Sequence, residues 1–469
     1  MNTFSLLIDG MKVEGQGKPF AVLNPATREV AALCPAASLA QLDQAVDSAR
    51  AAFREWQYCP DEQRSALINA IADTLEQHSE ELAMLIVTEQ GKPMDLARFE
   101  LGGAIAWTRA TAAMVLEDEV LEDSDAKRVT MHYKPLGVVG SITPWNWPLM
   151  IAIWHIIPAL KTGNTLVCKP SELTPLSTMR MVELISPLLP HGVINLVCGG
   201  AELGAAMAGH VGINKLAFTG SIPTGQAIMR TAARDLKRLT LELGGNDAGI
   251  VLADADVSEI AMGIFQGAFI NMGQTCAALK RLYVHESLHD ALIAKLVELA
   301  ESQVVGNGMK PGVTFGPIQN QKQFERICAL VDDAKARGAT VHCGGTPLQG
   351  PGYFYPPTLV SGLTQGSPLV DEEQFGPVLP IIRYRDLDDA IAQANANVCG
   401  LGGSVWGKDP QQLAATANRL QCGTVWFNSH AQVAPNAPFG GCKLSGIGVA
   451  FGIEGLKEFV QPQVIHTFK

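Results

Sequence analysis

The sequence predicts an α/β protein with two domains, each built on a largely parallel sheet. Strand-like segments alternate with helical segments from residue 136 to residue 245, and the alternation starts again near residue 246. Three strand candidates of the first region lead directly into motifs that contain Asn146, Lys169 and Gly220. Because ligands of open α/β sheets bind beyond the carboxyl ends of the strands, we expect these motifs to form one site.

The segment before residue 117 predicts a hairpin and three long helices. Residues 6–13 alternate like a strand or hairpin. Ser38 is expected to cap a helix that ends near residue 56, and Asp61 a second helix that continues to about residue 90. A third helical stretch covers about 95–116.

Two further segments predict a surface element. The acidic stretch 117–125 is expected to be exposed, and 128–135 is a strand candidate for a sheet edge. The end of the chain, 463–468, forms another short strand candidate. Unpaired edges of such strands can serve assembly between subunits.

The two α/β regions supply the remaining elements. The first has strand candidates and helical stretches at 137–142, 165–168, 175–189, 195–197, 201–210, 215–218, 223–236 and 239–242. The second has them at 281–284, 288–303, 321–337, 378–382, 403–406 and 424–427.

Composition excludes several classes of function. The chain has 469 residues, 47% of them hydrophobic and 17% charged, and a net charge of −11. That charge disfavours binding to nucleic acid or to an anionic membrane. The N-terminal sequence lacks the pattern of a signal peptide, and the apolar stretch 147–160 is interrupted and too short to span a bilayer. We therefore expect a cytoplasmic protein.

Cysteine and histidine spacing predicts no metal site. The ten cysteines contain no CxxC pair, which favours reduced thiols. His285 and His289 have helical spacing but lack the other ligands of a metal site, so they are interpreted as a solvated helix face.

The chemistry centres on Cys276, which stands among small residues after an apolar helical stretch at 264–270. A buried structural thiol is the competing interpretation for any single cysteine. The chain also offers a carboxylate at Glu242 and a side-chain amide at Asn146. Acyl transfer through a cysteine requires a nucleophile, a base and donors for the developing oxyanion, and these three side chains supply that set.

Three other motifs suggest a nucleotide ligand. The segment 218–225 predicts a strand, a turn at Gly220 and a helix start, where backbone amides can bind pyrophosphate, although a simple βα turn remains open. Lys169 with Glu172 can hold ribose hydroxyls, or form a solvated ion pair. The acidic turn 372–377 suits a second ribose, or a solvated loop. The glycines at 446–448 lack a strand-to-helix context and are set aside.

Taken together, these stretches resemble the NAD(P)-dependent aldehyde dehydrogenase superfamily over nearly the whole chain. The ordered set that carries the resemblance is PWNWP, KPSELTP, FTGS…G, LELGG, GQTC, EEQFGPV, FN and PFGGCKLSG. The resemblance implies a Rossmann-like cofactor domain, an α/β catalytic domain and a β-ribbon oligomerisation element. It also implies hydrolytic, NAD-dependent oxidation of an aldehyde to a carboxylic acid, through a thiohemiacetal and a thioester.

The resemblance assigns roles residue by residue. Cys276 matches the nucleophile, Glu242 the general base and Asn146 an oxyanion donor beside the Cys276 backbone N–H. The matching cofactor-binding residues are Ile142, Pro144, Lys169, Glu172, Gly220, Ser221, Gly225, Glu373 and Phe375. The matching aldehyde-pocket residues are Trp147, Met150, Trp154, Thr275, Val433 and Phe439.

The same resemblance divides the chain and predicts its assembly. Residues 1–116 and 136–245 correspond to the NAD-binding domain, 246–445 to the catalytic domain, and 117–135 with 455–469 to the oligomerisation element. A homodimer or homotetramer is implied.

The chain departs from the family pattern at two places. His155 stands where relatives commonly have Lys, and Val449-Ala450 where they commonly have Arg-Glu. In relatives that Lys and that Glu help to relay the proton from the general base. One hypothesis is that His155, which titrates near neutral pH in water, takes over part of the relay. The alternatives are that Glu242 discharges to water, or that His155 only packs.

The matched pocket residues predict an apolar substrate, either a medium-chain aliphatic or an aromatic aldehyde. They include no Arg or Lys that would hold the carboxylate of a semialdehyde. Two Trp residues could bind a quaternary ammonium group through cation–π contacts, so a betaine-aldehyde-type enzyme is an alternative. A non-catalytic, cofactor-binding or structural member of the family is another.

Overall fold

The structure, a computed structural model, describes residues 4–469 as two large sheets flanked by helices, one small three-stranded antiparallel sheet and two two-stranded ribbons. The predicted α/β class, with a Rossmann-like part and a second α/β part, is confirmed. Buried apolar clusters lie on the faces of both large sheets.

The first large sheet has eight strands and a parallel centre. Its centre runs in the order Ile194–Leu196, Thr165–Lys169, Val138–Ile142, Lys215–Thr219 and Arg238–Glu242. From Val138–Ile142 the chain first builds strands on one side and then returns to build on the other. The reversal lies between Val138–Ile142 and Lys215–Thr219, and a crevice at such a point is where open α/β sheets bind ligands.

The second large sheet has seven strands, and its centre is also parallel. Asp247–Val251 lies between Leu279–His285 and Gly402–Trp406. Asp247–Val251 follows Arg238–Glu242 after four residues, and Leu279–His285 begins three residues after Cys276. The connection between the two large sheets therefore brings Glu242 and the cysteine loop into one region.

The small sheet corrects the expected strand order. Lys127–Pro135 is its middle strand, paired on one side with Glu119–Asp123 and on the other with Val460–Phe468. The prediction that 128–135 forms an edge is therefore wrong. The acidic stretch is exposed as expected, but it also contains an edge strand that the sequence pattern did not indicate.

The N-terminal helices confirm one predicted cap and correct another. Ser38 caps its helix through a reciprocal box: Gln41 N–H donates to Ser38 Oγ at 3.2 Å, and Ser38 N–H donates to Gln41 Oε1 at 3.1 Å. The predicted single helix over 61–90 is two helices that meet at His78, and Pro60, not Asp61, precedes the first. The second of these helices, Ser79–Gln90, ends at Gly91, whose left-handed conformation is one that glycine favours.

The element bounds are as follows. The α-helices are Leu39–Trp56, Asp61–Gln77, Ser79–Gln90, Met94–Ala113, Pro148–Lys161, Leu176–Ile185, Ala201–Gly209, Ile222–Ala232, Val257–Phe269, His289–Glu301, Gln321–Ala336, Pro368–Asp371, Leu387–Asn395, Pro410–Ala417 and Gly452–Lys457. Short 3₁₀ turns are Ser186–Leu188, Ala233–Asp235 and Ile270–Gly273. The strands not given above are Leu6–Ile8, Met11–Val13, Phe20–Leu23, Val30–Cys34, Thr340–Cys343, Thr358–Ser361, Val378–Tyr384, Cys399–Gly400, Thr424–Phe427, Cys442–Lys443 and Gly446–Ile447.

The glycines at 446–448 lie in and directly after a short edge strand of the first large sheet. Gly446–Ile447 pairs antiparallel with the end of Arg238–Glu242, with Gly446 opposite Glu242. A Cβ on Gly446 would lie 1.8 Å from the carbonyl oxygen of Leu241, so only glycine allows this approach. Across residues 4–469, no helix is both long and apolar enough to cross a membrane.

Candidate active site

Cys276 lies on a tight loop between a buried helix and a buried strand. Asn271, Met272 and Gly273 all have positive φ angles, at 51°, 59° and 67°, and turn the chain back after Val257–Phe269. A Cβ on Gly273 would lie 2.2 Å from the carbonyl oxygen of Gly376, so the turn requires glycine. Cys276 itself is half-buried. The loop thus fixes the thiol at a partly accessible position.

Asn146 and Trp147 contact this loop directly. Nδ2 of Asn146 donates to the carbonyl oxygen of Gln274 at 3.0 Å, and Nε1 of Trp147 donates to Oγ1 of Thr275 at 3.0 Å. Asn146 follows the strand Val138–Ile142 and is buried. Its amide group has two N–H donors, so one remains for a ligand beside the cysteine.

Glu242 ends its strand with an oxygen that lacks a protein partner. Its Oε1 is buried, and within residues 4–469 no hydrogen-bond partner lies in reach. Burial, followed by the nearby charge of Glu458, raises the pKa of Glu242 well above its usual range. A Cβ on Gly440 would lie 3.2 Å from Oε1, so the small residue leaves room around the carboxylate. A base held in this way can accept a proton from a ligand or water.

The pKa of the Cys276 thiol is raised by burial and by three nearby carboxylates. Burial raises its pKa to about 12, and the charges of Glu242, Glu373 and Asp247 add to the effect. The thiol is therefore protonated at neutral pH in the protein without ligand, and it needs a base to become a nucleophile.

Glu373 is held by a backbone hydrogen bond, whereas the buried oxygen of Glu242 has no partner among residues 4–469. Its Oε1 accepts a hydrogen bond from Gly245 N–H at 3.0 Å, and a Cβ on Gly244 would lie 2.4 Å from its Oε2. Burial raises the pKa of Glu373 to about 7, although Lys280 opposes the shift. The ring of Phe375 packs edge-on against Trp145 with centroids 5.3 Å apart.

Some of the predicted cofactor residues lie at the reversal point of the first sheet. Ile142 lies opposite Lys169 on one side and Phe218 on the other, and Thr143 N–H donates to the Lys169 carbonyl oxygen at 3.2 Å. Lys169 is buried, whereas the Glu172 side chain is 47% exposed, and their charged groups lie 3.8 Å apart. The segment Ile142–Pro144 thus leads from this crevice towards Asn146.

The predicted phosphate turn has the expected form. Gly220 follows Lys215–Thr219, and Ser221 begins the helix Ile222–Ala232 without a side-chain cap. A Cβ on Gly225 would lie 2.6 Å from the side chain of Leu243, so the helix and the strand end approach closely at a glycine. The first-turn N–H groups can therefore face an anion.

An aromatic chain leads away from the cysteine. Cys276, Val433 and Phe439 belong to one apolar cluster with Phe451. The Phe439 and Phe451 rings are stacked at 6.0 Å, and Phe451 then contacts Trp154 at 4.7 Å and Trp107 at 5.4 Å. Trp154 lines a cavity together with Trp107 and Phe451, and every residue described along that cavity is uncharged.

Trp107 and Phe451 were missed by the sequence interpretation. Phe451 directly follows the departure at Val449-Ala450, and its φ of 68° is a strained value for a bulky residue. Trp107 lies on a helix whose small residues Gly102 and Gly103 precede it. In both cases an aromatic residue stands close to glycine or alanine in the sequence, and this pattern was the one available sign that the residue could line a cavity.

Trp147 and Met150 are both buried, with 4% and 8% of their surface exposed. Both belong to the main core cluster. The indole of Trp147 covers the ammonium group of Lys92 at 3.7 Å. Their contact with a substrate remains a prediction.

His155 is buried, and each of its ring nitrogens lies beside a hydroxyl group instead of a carboxylate. Its Nδ1 lies 3.0 Å from Ser141 Oγ and its Nε2 lies 3.0 Å from Thr219 Oγ1. Burial, followed by the charge of Lys215, lowers its pKa to about 3. Burial therefore favours the alternative in which His155 packs as a neutral imidazole, because no carboxylate partner is present among the described residues to stabilise its charged form.

Ala450 carries only backbone hydrogen bonds at its position. Its N–H and its carbonyl group both pair with Phe439, at 2.7 and 2.9 Å. The pairing holds the segment that turns towards Phe451.

The His285 and His289 interpretation also needs correction. His285 ends the strand Leu279–His285, and His289 begins a helix and is buried, so the two do not share a solvated helix face. In the described part of the chain, no cluster of His, Cys, Asp and Glu has the arrangement of a metal site.

The profile of the aldehyde dehydrogenase family matches residues 12–465. The chain belongs to the aldehyde dehydrogenase family. The relatives include a probable aldehyde dehydrogenase from a Pseudomonas species, 40% identical over 99% of this chain and 94% of that protein. Aldehyde dehydrogenase 1A1 of Oryctolagus cuniculus is 39% identical over 96% of this chain and 92% of its own length.

Solved structures of aldehyde dehydrogenases superimpose closely. The NAD+ complex of the Bacillus cereus enzyme has a TM-score of 0.97 and 36% identity, over 100% of this chain and 97% of its own. Betaine aldehyde dehydrogenase of Staphylococcus aureus, also with NAD+, has a TM-score of 0.95 and 34% identity, over 99% of this chain and 94% of its own. Family membership makes this chain an oxidoreductase that acts on aldehydes.

Proposed function

We propose that this enzyme oxidises apolar aldehydes, medium-chain aliphatic or aromatic, to carboxylic acids with NAD, through an acyl group on Cys276. The observation that carries the proposal is the convergence of a half-buried thiol, an unpartnered carboxylate of raised pKa and an amide donor on one loop region. These are the nucleophile, base and oxyanion donor that acyl transfer requires.

The first half of the reaction forms a bond to sulfur. Glu242 takes the proton of the Cys276 thiol, and Sγ attacks the aldehyde carbon. The carbonyl oxygen becomes an oxyanion that the second N–H of Asn146 and the backbone N–H of Cys276 stabilise. When bound, NAD supplies the hydride acceptor of the reaction. Cys276 is left carrying a thioester.

The second half releases the acid. Glu242 first releases the thiol proton to solvent. It then takes a proton from water, the resulting hydroxide attacks the thioester carbon, and the same donors stabilise the second oxyanion. Collapse breaks the carbon–sulfur bond, which returns the thiolate and frees the carboxylate. A carboxylate with a raised pKa suits this task because its proton affinity lies nearer to the working pH.

The crevice of the first sheet has the groups that NAD needs. Lys169 Nζ donates to the Pro170 carbonyl oxygen at 3.3 Å and faces Glu172, which leaves a further N–H for a ribose hydroxyl. Glu172 accepts from ribose hydroxyls and repels a 2′-phosphate, which favours NAD over NADP. Gly220, Ser221 and Gly225 offer the helix start for the pyrophosphate, and Glu373 with Phe375 serves the nicotinamide ribose.

The aromatic chain supports an apolar substrate. Phe439, Phe451, Trp154 and Trp107 follow one another by ring contact from the cysteine cluster outwards. A charged second group on the aldehyde would lose its hydration there without an opposite charge to replace it. Trp147, Met150, Thr275 and Val433 complete the predicted wall.

A betaine-aldehyde-type activity is the second candidate. The same rings could bind a quaternary ammonium group by cation–π attraction. A betaine aldehyde dehydrogenase is also among the similar structures.

The activity test uses a panel of four aldehydes with NAD. We expect NADH formation with octanal and benzaldehyde and little with succinic semialdehyde, because the latter brings a carboxylate. Preference for betaine aldehyde would favour the second candidate. Cys276→Ser should abolish activity with every aldehyde while NAD still binds. Full activity in Cys276→Ser, or bound NAD without any turnover in the wild type, would contradict the proposed function.

The two large sheets and the three-stranded sheet are proposed to have separate roles in cofactor binding, catalysis and assembly. Residues 1–116 and 136–245 are proposed to bind NAD, 246–445 to carry the catalytic loop, and 117–135 with 455–469 to join subunits. Exposed apolar side chains on the edge strands favour the last role: Val120, Leu121, Val464, Ile465 and Phe468. Sedimentation should give a homodimer or homotetramer, and a cytoplasmic location is expected.

A further inference from the structure

A fully buried ion pair lies beneath the Asn146 loop. Nζ of Lys92 and Oε2 of Glu100 are 2.6 Å apart, and both side chains are 0% exposed. Neither residue belongs to the motifs that indicated the active site. Since a buried pair often costs as much in lost hydration as it returns in attraction, stability alone is a weak explanation for it.

Lys92 contacts the backbone of the oxyanion donor itself. Its Nζ donates to the carbonyl oxygen of Asn146 at 2.9 Å. The same ammonium group lies 3.7 Å from the ring centroid of Trp147, the next residue. The cation therefore fixes the peptide that joins the two side chains in contact with the cysteine loop.

Glu100 holds the residues that follow. Its Oε1 accepts hydrogen bonds from the N–H groups of Leu149 and Met150, at 3.0 and 3.2 Å. These groups belong to the first turn of the helix Pro148–Lys161, whose N-cap Trp147 supplies no side-chain cap. Glu100 thus supplies the missing cap while its other oxygen anchors Lys92.

Every contact of the pair given above converges on residues 146–150. On the opposite side, Asn146 Nδ2 reaches Gln274 and Trp147 Nε1 reaches Thr275. Asn271 Nδ2 also donates to the Asn146 carbonyl oxygen, at 2.9 Å. Without Lys92 that oxygen would keep one neutral donor from the cysteine loop and lose the charged donor from the N-terminal helices.

We propose that Lys92 and Glu100 are positioning residues of the oxyanion hole, which hold the Asn146 peptide so that its amide faces the carbon that Cys276 attacks. The inference rests on the proposed role of Asn146. A displacement of about 1 Å at a reacting centre can cost on the order of a hundredfold in rate. The pair acts through Asn146 and touches neither substrate nor cofactor.

The test is a double-mutant cycle between Lys92→Met and Asn146→Ala, with kcat, KM and NAD affinity measured for each protein. Lys92→Met should lower kcat by roughly tenfold to a hundredfold. The Kd for NAD should stay within about twofold, because none of the contacts described for Lys92 and Glu100 involves a proposed NAD-binding residue. In the Asn146→Ala background, Lys92→Met should lower kcat by less than about threefold, because the group that it positions is already gone.

Lys161 provides the matched control at the other end of the same helix. Its side chain is 2% exposed, and Nζ donates to Asp61 Oδ2 at 2.8 Å and to Ser65 Oγ at 2.6 Å. Lys161→Met also removes a buried ion-paired cation, so it should lower the unfolding temperature without lowering kcat. If Lys92→Met does not fold, Glu100→Gln takes its place in the cycle.

Two results would overturn the inference. One is a wild-type kcat in Lys92→Met. The other is the same fold-loss from Lys92→Met with and without Asn146, which would indicate a general structural effect. A wild-type kcat in Asn146→Ala would instead contradict the proposed oxyanion donor itself, so the two failures are distinguishable.

Discussion

Glu242 and Glu373 both act electrostatically on Cys276, and they differ in how they are held. Glu373 accepts a hydrogen bond from Gly245 N–H at 3.0 Å and is partly balanced by Lys280. Glu242 has an oxygen without a partner in the described chain. Both have raised pKa values, and both raise the pKa of the thiol.

The difference indicates separate tasks for the two side chains. A carboxylate fixed by a backbone N–H suits a ligand contact, because its position is set and one oxygen is already satisfied. A carboxylate with an unsatisfied oxygen and room beside it suits proton transfer, because it can turn towards water or thiol.

The largest effect that separates them is expected for Glu242→Gln. The amide keeps the shape but cannot accept a proton, so kcat should fall by about 10²–10⁴-fold. The Kd for NAD should hardly change. Steady-state NADH formation with octanal and NAD titration of the same protein measure the two quantities. A kcat within twofold of the wild type would remove Glu242 from the base role.

A smaller and different effect is expected for Glu373→Gln. Loss of a charged hydrogen-bond acceptor should weaken NAD binding by about tenfold, or roughly 1.5 kcal/mol, with a lesser loss in kcat. Removal of one anion should also lower the pKa of the Cys276 thiol, because less repulsion opposes the thiolate. The pH dependence of iodoacetamide alkylation without NAD should then shift to lower pH. An unchanged NAD affinity together with an unchanged alkylation profile would mean that the two carboxylates do not differ as described.

The smallest catalytic effect is expected for His155→Gln. With a pKa of about 3, His155 is neutral throughout the range in which the enzyme would be assayed. The pH profile of kcat from pH 6 to pH 9 should therefore keep its shape. The variant disturbs the buried contacts to Ser141 and Thr219, so the free energy of unfolding should fall by about 1–3 kcal/mol. A lost or displaced ionisation in the kcat profile would restore His155 to the proton path.

The sequence predicted the structure best where the type of a residue and its place beside a strand or helix end are enough to position it. Asn146, Lys169 and Gly220 follow parallel strands, and the carboxyl ends of such strands necessarily meet at one edge. Ser38 and Gln41 form a local capping box, which needs no distant partner. Predictions of this kind depend on neighbouring residues alone.

The failures depend on distant contacts. The break at His78 contains neither Pro nor Gly, and its only local signs are Ser79 and the acidic first-turn residues Glu80 and Glu81. The middle position of Lys127–Pro135 is set by a strand more than 300 residues later. The neutrality of His155 results from burial between a helix and strand ends, which spacing cannot reveal.

The most direct test of the central claim is the pH dependence of acyl-enzyme hydrolysis, measured with p-nitrophenyl acetate without NAD. The ester acylates Cys276 and releases p-nitrophenolate, and the slow phase reports deacylation. In the wild type and in Glu373→Gln, the deacylation rate should rise with pH and level off above an apparent pKa higher than that of an ordinary Glu, since the base works only when deprotonated. In Glu242→Gln the initial release should slow, because the same carboxylate activates the thiol, and hydrolysis of the acyl-enzyme that does form should slow and lose that ionisation. Wild-type deacylation with an unchanged pH profile in Glu242→Gln would contradict the assignment of Glu242 as the base.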